Sequence, residues 1–321
     1  MRKQVKIWLM IAASCILIGC VLFAGVMTML KWDFTKLSTH LSETSNHVIT
    51  KAFSGISIRT DTADIALVAS QNTKCSVVCY EQKNQKHSVT VTDDTLIIEV
   101  IDTRKWYEYI SIYSKTPKIT VYLPKGEYGC LSVRSSTGDI QIPNDFKFEG
   151  MDISASTGAV ANLASVSHRM QIKTSTGNIH LQNISAGALD LSVSTGNVDL
   201  SGVTCKGDVT IRVSTGKTKI ANTQCKSLMS NGSTGDISLD RVIATERFSL
   251  ERSTGDVTFH RCDATQIITQ TSTGDVSGSL LSQKIFITET NTGDVSVPKT
   301  ATGGRCEITT STGDINIDVA P

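Results

Sequence analysis

The sequence predicts an all-β fold, a parallel β-solenoid of about ten 19–20-residue coils, preceded by one N-terminal transmembrane helix. Three observations predict it. A Ser-Thr-Gly turn recurs ten times, with its glycines 19 or 20 residues apart throughout. Apolar and polar residues alternate on both sides of each turn, the period-two mark of strands with one buried face. Ahead of these repeats, the 24 residues from Ile7 to Leu30 carry no charge.

That uncharged segment makes about 36 Å of helix, enough to cross a ~30 Å hydrocarbon core with some tilt. Arg2, Lys3 and Lys6 precede it and Lys31 follows it. The bias predicts a cytoplasmic tail over 1–6, a transmembrane anchor over 7–30 and the bulk of the chain outside the cytoplasm. The expected location is the cell membrane, single-pass, with the N-terminus inside. Trp32 stands where an interfacial aromatic would. Two other routes stay open. Leu17-Ile18-Gly19-Cys20 matches a bacterial lipoprotein cleavage box, in which Cys20 would carry the lipid, and a cleaved secretory signal is the third. Val21 to Leu30 stays apolar after the cysteine, which favours the uncleaved helix.

Residues 31–50 are polar and read as a stalk. Strand patterning begins at Lys51. Thr62-Ala63-Asp64-Ile65 resembles a decayed turn with Ala63 in the glycine place, and Ile56, Ile58, Ile65 and Leu67 fall on the core columns. Further strands are expected at Cys75–Tyr80, His87–Val91, Thr95–Val100 and Lys118–Leu123. The region 51–130 is therefore expected to cap the solenoid, whose end exposes apolar core and unpaired strand edges. Arg104-Lys105-Trp106-Tyr107 and Tyr109 form an aromatic cluster, part of this cap or a ligand or partner patch.

The repeats occupy 131–321. Their turn glycines are Gly138, Gly158, Gly177, Gly196, Gly216, Gly235, Gly255, Gly274, Gly293 and Gly313. The positions seven and five before and two and four after each glycine are mostly apolar, as in Leu131, Val133, Ile140 and Ile142. The columns lapse at places such as Thr218 and Ser230. Each repeat reads as strand, turn, strand and a connection of about seven residues. One repeat cannot bury its apolar stripe, but stacking each strand on its counterpart one coil on does. At about 4.8 Å per strand, ten coils make a rod roughly 48 Å long. Leucine-rich repeats need a frame absent here, and propeller blades need about 40 residues each. The chain ends eight residues after Gly313 without a distinct cap. Either Ile317 onward with Pro321 blunts that edge, or the solenoid end associates with another chain.

The columns suggest their own chemistry. The glycines read as turns needing positive φ. Threonine precedes all ten, and stacked hydroxyls can bond neighbouring backbone or one another. The column after glycine ends in Asp236, Asp256, Asp275, Asp294 and Asp314. Five carboxylates in line are a candidate calcium ladder. The other reading is turn chemistry, with Asx side chains capping their own backbone; Ala159 and Lys217 in that column favour it. Threonine three before glycine occurs only at Thr174, Thr271, Thr290 and Thr310, too few for an ice-binding face.

Nine cysteines include no Cys-x-x-Cys, so no zinc or redox motif is suggested. Cys75 and Cys79 share a strand face and read as core. Cys205 and Cys225 stack in adjacent coils, as a disulfide or as buried small side chains; Cys306 in an apolar column supports burial.

The formal charge is +1, from 31 basic and 30 acidic residues, unlike the strongly basic domains that bind nucleic acid. Aromatics at 5% are few for a ring-lined pocket. His168, His180 and His260 fall in different columns, and the array has no inserted loop to gather acids and bases. No cofactor, resident metal or catalytic residue is expected. A glycan-active β-helix enzyme is the weakest reading.

The tenfold Ser-Thr-Gly-Asp-like turn behind one N-terminal helix resembles the bacterial putative-adhesin family of β-strand-repeat proteins, a domain of unknown function, over about residues 50–321. The resemblance implies a β-repeat fold and a loose link to the cell envelope, and it carries over no site residues. The expected function is a non-catalytic, adhesion-type surface module. Its expected partners are the membrane, through the helix, and an envelope polymer, a protein or itself. The alternative is an envelope-stress or signalling accessory acting on a membrane partner.

Overall fold

The computed structural model describes residues 3–33, 42–71, 73–104 and 116–320. Helix α1 spans Lys3–Met29. Lys31 and Trp32 end it in left-handed backbone (φ 57° and 58°), and the Trp32 amide donates to the Met27 carbonyl at 2.8 Å. Within it, Val5–Met29 has a mean hydropathy of 2.6, long and apolar enough to cross a membrane or to serve as a signal sequence.

The strands form one continuous parallel solenoid with an antiparallel cap. Seven strands precede the first Ser-Thr-Gly coil: β1 (Ser42–Ile49), β2 (Gly55–Thr62), β3 (Asp64–Ala69), β4 (Cys75–Gln82), β5 (Gln85–Thr92), β6 (Thr95–Asp102) and β7 (Lys118–Leu123). β2 and β3 are themselves a coil. Ile56 pairs with Leu131, Ile58 with Val133 and Ile65 with Ile140, and the Ala63 amide donates to Thr137. The array thus begins at Gly55 and not at 131, because Ala63 keeps the turn without the glycine that marks it elsewhere.

The rest of this region closes the end. β6 lies parallel on β2, and β5 runs antiparallel on β6. β7 lies parallel on β3, followed by β4 and then β1, both antiparallel. Residues 42–49, assigned to the stalk, are therefore an outer strand of the cap. Their composition hid this because one face of β1 stays exposed. Lys105 to Tyr109 of the aromatic cluster lie outside the described residues.

Each coil has three faces, not two. The strand before the turn and the strand after it form the first two. The expected connection carries a third strand, in which Phe148 pairs with Val166, Ala186 with Cys205, and Cys225 with Ala244. Beyond Phe148 and Val166 the side chains of this face are small, which weakened its signal, yet they are buried. Six residues after the turn glycine the chain rounds a second corner in left-handed backbone, at Asn183, Gly202, Asn222, Arg241 and Arg261 (φ 48° to 65°).

The apolar columns from all three faces merge into one core running the length of the rod. Leu131, Val133, Ile140 and Ile142 are 2% exposed or less. The Phe248 and Phe259 rings stack at 6.4 Å, and Tyr128 packs on Phe146 and Phe148 near the capped end.

The last two coils are out of order. The strand ending at Thr273 pairs with Gly304–Thr312, and Lys284–Thr292 pairs with the far side of that same strand. The spatial sequence of turn glycines is Gly255, Gly274, Gly313, Gly293. The chain skips one slot, builds the outermost coil and returns to fill the gap. Cys306, Ile308, Ile315 and Ile317 are buried, whereas Val295, the strand partner of Ile315 in the same core column, is 46% exposed. The open end of the solenoid is therefore the Gly293 coil. The C-terminal residues do not form it.

Candidate binding surface

The turn column positions everything around it. All ten turn glycines have φ between 120° and 147°. Each also abuts the previous coil: a Cβ on Gly177 would sit 2.0 Å from the Gly158 carbonyl oxygen. Glycine is required twice over, for its conformation and for close backbone approach.

The column after glycine is a hydrogen-bond ladder between coils. Asp64 Oδ1 accepts from the Asp139 amide at 3.0 Å, and Asp139 Oδ1 from Ala159 at 2.8 Å. Asn178, Asn197, Asp256, Asp275 and Asp314 accept in the same way from Asn197, Lys217, Asp275, Asp314 and Asp294. Asp236 accepts from Asp256 at 3.3 Å, and its other oxygen lies 3.0 Å from Lys217 Nζ. That ammonium, the largest influence, holds the Asp236 carboxyl below its ordinary range. The Asx side chains therefore cap the adjacent coil and not their own backbone as the turn reading had it. The five aspartates expected as a calcium ladder each have Oδ1 turned along the rod to a neighbouring amide, Asp294 excepted, whose coil is outermost.

Inside the turn, Thr174, Thr271 and Thr310 donate to the carbonyls of Gly158, Gly255 and Gly274 at 3.1–3.5 Å, and Thr290 donates to Gly313 at 3.0 Å. Thr174, Thr271 and Thr310 are buried, so this column is no surface for ice or mineral. The Ser and Thr of the turn itself point outward. Among the described residues their hydroxyls make no hydrogen bond, contrary to the expected hydroxyl stacking.

The outward positions carry charge in local pairs. Asp190 accepts from Arg169 at 2.6 Å and from Arg212 at 2.9 Å. His180 and His260 sit in separate coils beside Asp199 and Asp240. Each has its own carboxylate, and no shared site gathers them.

The third face is less neutral. Ser165, Ser185 and Thr204 occupy one register position in three successive coils. With Ser167, Val166, Ala186, Lys147 and Lys206 they line a 330 Å³ groove, and the Lys147 ammonium pairs with Glu127 at 3.3 Å. Ser165 Oγ accepts from the Ser185 amide at 2.9 Å, which fixes the spacing of the row. The sequence held a signal for it, a hydroxyl residue repeating beside buried Val166, Ala186 and Cys205, but reading that stretch as connection obscured it. A second hollow of 300 Å³ lies on the face after the turn, among Asn178, His180, Asp199, Lys217 and Lys219.

The remaining cysteines are structural in position. Cys205 and Cys225 are buried free thiols in adjacent coils, and burial pushes the Cys225 thiol up to about 12. Cys306 is likewise buried and free. Cys20, the lipidation candidate, is exposed on α1.

No curated protein sequence matches the chain. Among the solved structures similar to it are these three. A protein described as a putative adhesin from Bacteroides fragilis NCTC 9343 is 17% identical, with 86% of this chain and 97% of that one covered and a TM-score of 0.41. One described as a putative lipid binding protein from Parabacteroides distasonis ATCC 8503 is 17% identical over 88% and 98%, at a TM-score of 0.43. One described as a putative adhesin from Parabacteroides merdae ATCC 43184 is 10% identical over 88% and 98%, at a TM-score of 0.33. The Toastrack DUF4097 family model matches residues 53–241 and again 206–320, a span that takes in the first coil of the solenoid and the displaced last pair. The chain belongs to the Toastrack DUF4097 family, a domain of unknown function in bacterial proteins.

Proposed function

We propose that the protein is a membrane-anchored, non-catalytic binding module whose rod lies outside the cytoplasm and engages an extended anionic polymer of the cell envelope. The observation that carries this reading is the groove on the third face. Its hydroxyls recur at the strand spacing of about 4.8 Å, and Lys147 and Lys206 stand at its rim. Such a row offers a repeating ligand equivalent hydrogen bonds in successive coils, with Lys206, and Lys147 in exchange for its Glu127 partner at 3.3 Å, to meet negative charge. The anchor supports the placement: three basic residues before the apolar helix and one after favour an inside N-terminus.

The test is cosedimentation of the full chain, held in lipid nanodiscs, with insoluble cell-wall polymer. Binding is expected to fall at least tenfold in the Lys147→Glu, Lys206→Glu double variant and to weaken with salt. Unchanged binding in that variant would remove the groove from consideration. A second reading rests on the outermost coil. Among the described residues, Lys284–Thr292 pairs on one edge only, with Ile285 and Ile287 about half exposed. A free edge of this kind templates another strand, and the proposed occupant is a second copy of this chain. Concentration-dependent sedimentation that disappears in Ile287→Lys is the expected result.

A further inference from the structure

The capped end of the solenoid contains a polar cluster that neither the binding reading nor the fold requires. Cys79 and Glu81 lie on the inward face of β4, and His87 is on β5. They are 0%, 2% and 6% exposed. One ligand atom of each, the Cys79 Sγ, a Glu81 carboxylate oxygen and a His87 ring nitrogen, lies within 4.8 Å of the other two. Burying a carboxylate and an imidazole here costs free energy that an apolar cap would not incur. The β4–β5 hairpin brings them together because its strands separate after the Gln82–Gln85 pair, β4 joining one face of the solenoid and β5 another.

We propose that Cys79, Glu81 and His87 form a binding site for a divalent transition cation of borderline softness, with zinc as its natural class. One thiolate, one imidazole and one carboxylate are a donor set suited to such ions, and they leave a fourth position open in a tetrahedral arrangement. The surrounding hydrogen bonds already orient the ligands. Ser45 Oγ donates to Glu81 Oε1 at 2.5 Å, and the His87 amide donates to Glu81 Oε2 at 2.6 Å. His87 Nδ1 faces Glu81 Oε2 at 2.9 Å, and His87 Nε2 faces the Thr60 hydroxyl at 2.9 Å. Without a cation Nδ1–H donates to the Glu81 carboxylate and Nε2 accepts from Thr60; with a cation bound, the proton sits on Nε2 and is donated to Thr60, and Nδ1 presents its lone pair to the metal. Thr60 is then the outer partner that sets the tautomer.

Metal loading replaces a proton. The cation displaces the proton of the Cys79 thiol, which goes to solvent, and a neutral His87 that carries its proton on Nδ1 moves it to Nε2; no electron moves.

The experiment uses the full chain in detergent micelles, stripped with chelator and titrated with Co²⁺ under reducing conditions. A saturable thiolate-to-cobalt charge-transfer band with tetrahedral ligand-field absorption is expected, and equimolar Zn²⁺ should abolish it. Cys79→Ser should eliminate the band while Cys75→Ser, a buried thiol on the same strand, retains it. His87→Asn should weaken binding by about 10–100-fold, and Thr60→Val by about tenfold through the lost tautomer partner. Zn²⁺ should raise the thermal midpoint of the wild type and of Cys75→Ser. A failure to bind Co²⁺ saturably, or a band that survives Cys79→Ser in chains shown by circular dichroism to be folded, would overturn the proposal.

Discussion

The Gly274 amide donates to the Thr312 carbonyl at 2.9 Å, and Thr292, its neighbour by repeat count, bonds to Gly313 instead. The C-terminal coil is held between two earlier ones. A cross-link separates this order from simple winding. Ser277 pairs with Asn316, while Ser296 lies two strands away, on the far side of Asn316. A disulfide needs Cα atoms about 4.4–6.8 Å apart, a distance that adjacent strands satisfy and next-but-one strands, about 9.6 Å apart, do not. Ser277→Cys with Asn316→Cys should close on mild oxidation, and Ser277→Cys with Ser296→Cys should not. Peptide mapping by mass spectrometry reads the result.

The turn column sets how the rod responds to substitution. Gly216 has φ 141°, and a Cβ there would meet the Gly196 carbonyl oxygen at 1.9 Å. Gly216→Ala should cost more than about 3 kcal/mol, through backbone strain together with coil separation. Gly126 has open space around its Cα, so Gly126→Ala should be nearly neutral or stabilise the fold by a few tenths of a kcal/mol. Urea unfolding of the two variants provides the comparison.

The fold was legible where physics repeats itself. Leu131, Val133, Ile140 and their successors gave the strands, and the ten glycines gave the axis. What stayed hidden has specific causes. The third face is built of Ala186, Cys205 and Ala244, too small to stand out as a hydrophobic period. The swap of the last coils is invisible to any repeat count, because Gly293 and Gly313 carry the same turn and either fits the slot after Gly274. The Cys79, Glu81 and His87 cluster was unreadable because β4 and β5 contribute to it from different faces, at no motif spacing. Arg252, in the column where Thr174 and Thr271 stand, gave no hint that it turns inward.

The Asx ladder predicts gains as well as losses. Ala159 stands in the acceptor column and offers no side-chain oxygen to the next coil. Ala159→Asn should stabilise the protein by about 0.5–1.5 kcal/mol, the net value of one hydrogen bond, and Asp256→Ala should cost a similar amount. Acid should reveal part of the ladder. The Asp236 carboxyl is held below its ordinary value of 3.8. Its contribution is fully present above that value and is lost as pH falls through the lowered one. Because Asp236 is partly exposed, Lys217→Met should lessen this acid sensitivity only modestly. Thermal melts from pH 6 to pH 2 check the sign.

The second corner offers a stabilising change. Arg241 and Arg261 adopt φ 52° where Gly202 and Asn222 stand in other coils. A bulky L-residue in left-handed backbone costs roughly 1–2 kcal/mol, and asparagine or glycine relieves part of it. Arg241 also bonds Asn222 at 2.7 Å and Asp240 at 2.7 Å, so the test belongs at Arg261. Arg261→Gly should raise stability by about 1 kcal/mol in chemical denaturation.

Arg252 is 2% exposed in the middle of the rod, and among the described residues its hydrogen bonds are to neutral groups. It donates to the Gly235 carbonyl at 3.1 Å and to Thr218 Oγ1 at 2.8 Å. Its room comes from three substitutions in the columns around it. Thr218 and Ser230 replace larger apolar residues, and a Cβ on Gly232 would lie 2.3 Å from Arg252 Nη1. Burial lowers its pKa to about 10. For a base this sign means that the folded state holds the proton less tightly than the unfolded one. The charge therefore opposes folding below about pH 10, and that opposition fades as pH rises beyond it. The side chain's volume favours folding, and its hydrogen bonds offset part of the charge penalty. Arg252→Met keeps most of the volume and removes the charge, so its stability should stay within about 1 kcal/mol of the wild type, since apolar replacement of buried charge is often neutral or better. Arg252→Ala removes the volume as well and should cost about 2–4 kcal/mol. Equal losses in the two variants, measured by urea unfolding at pH 7, would show that the bonds to Thr218 and Gly235, and not the filling of the space beside Gly232, hold these coils together.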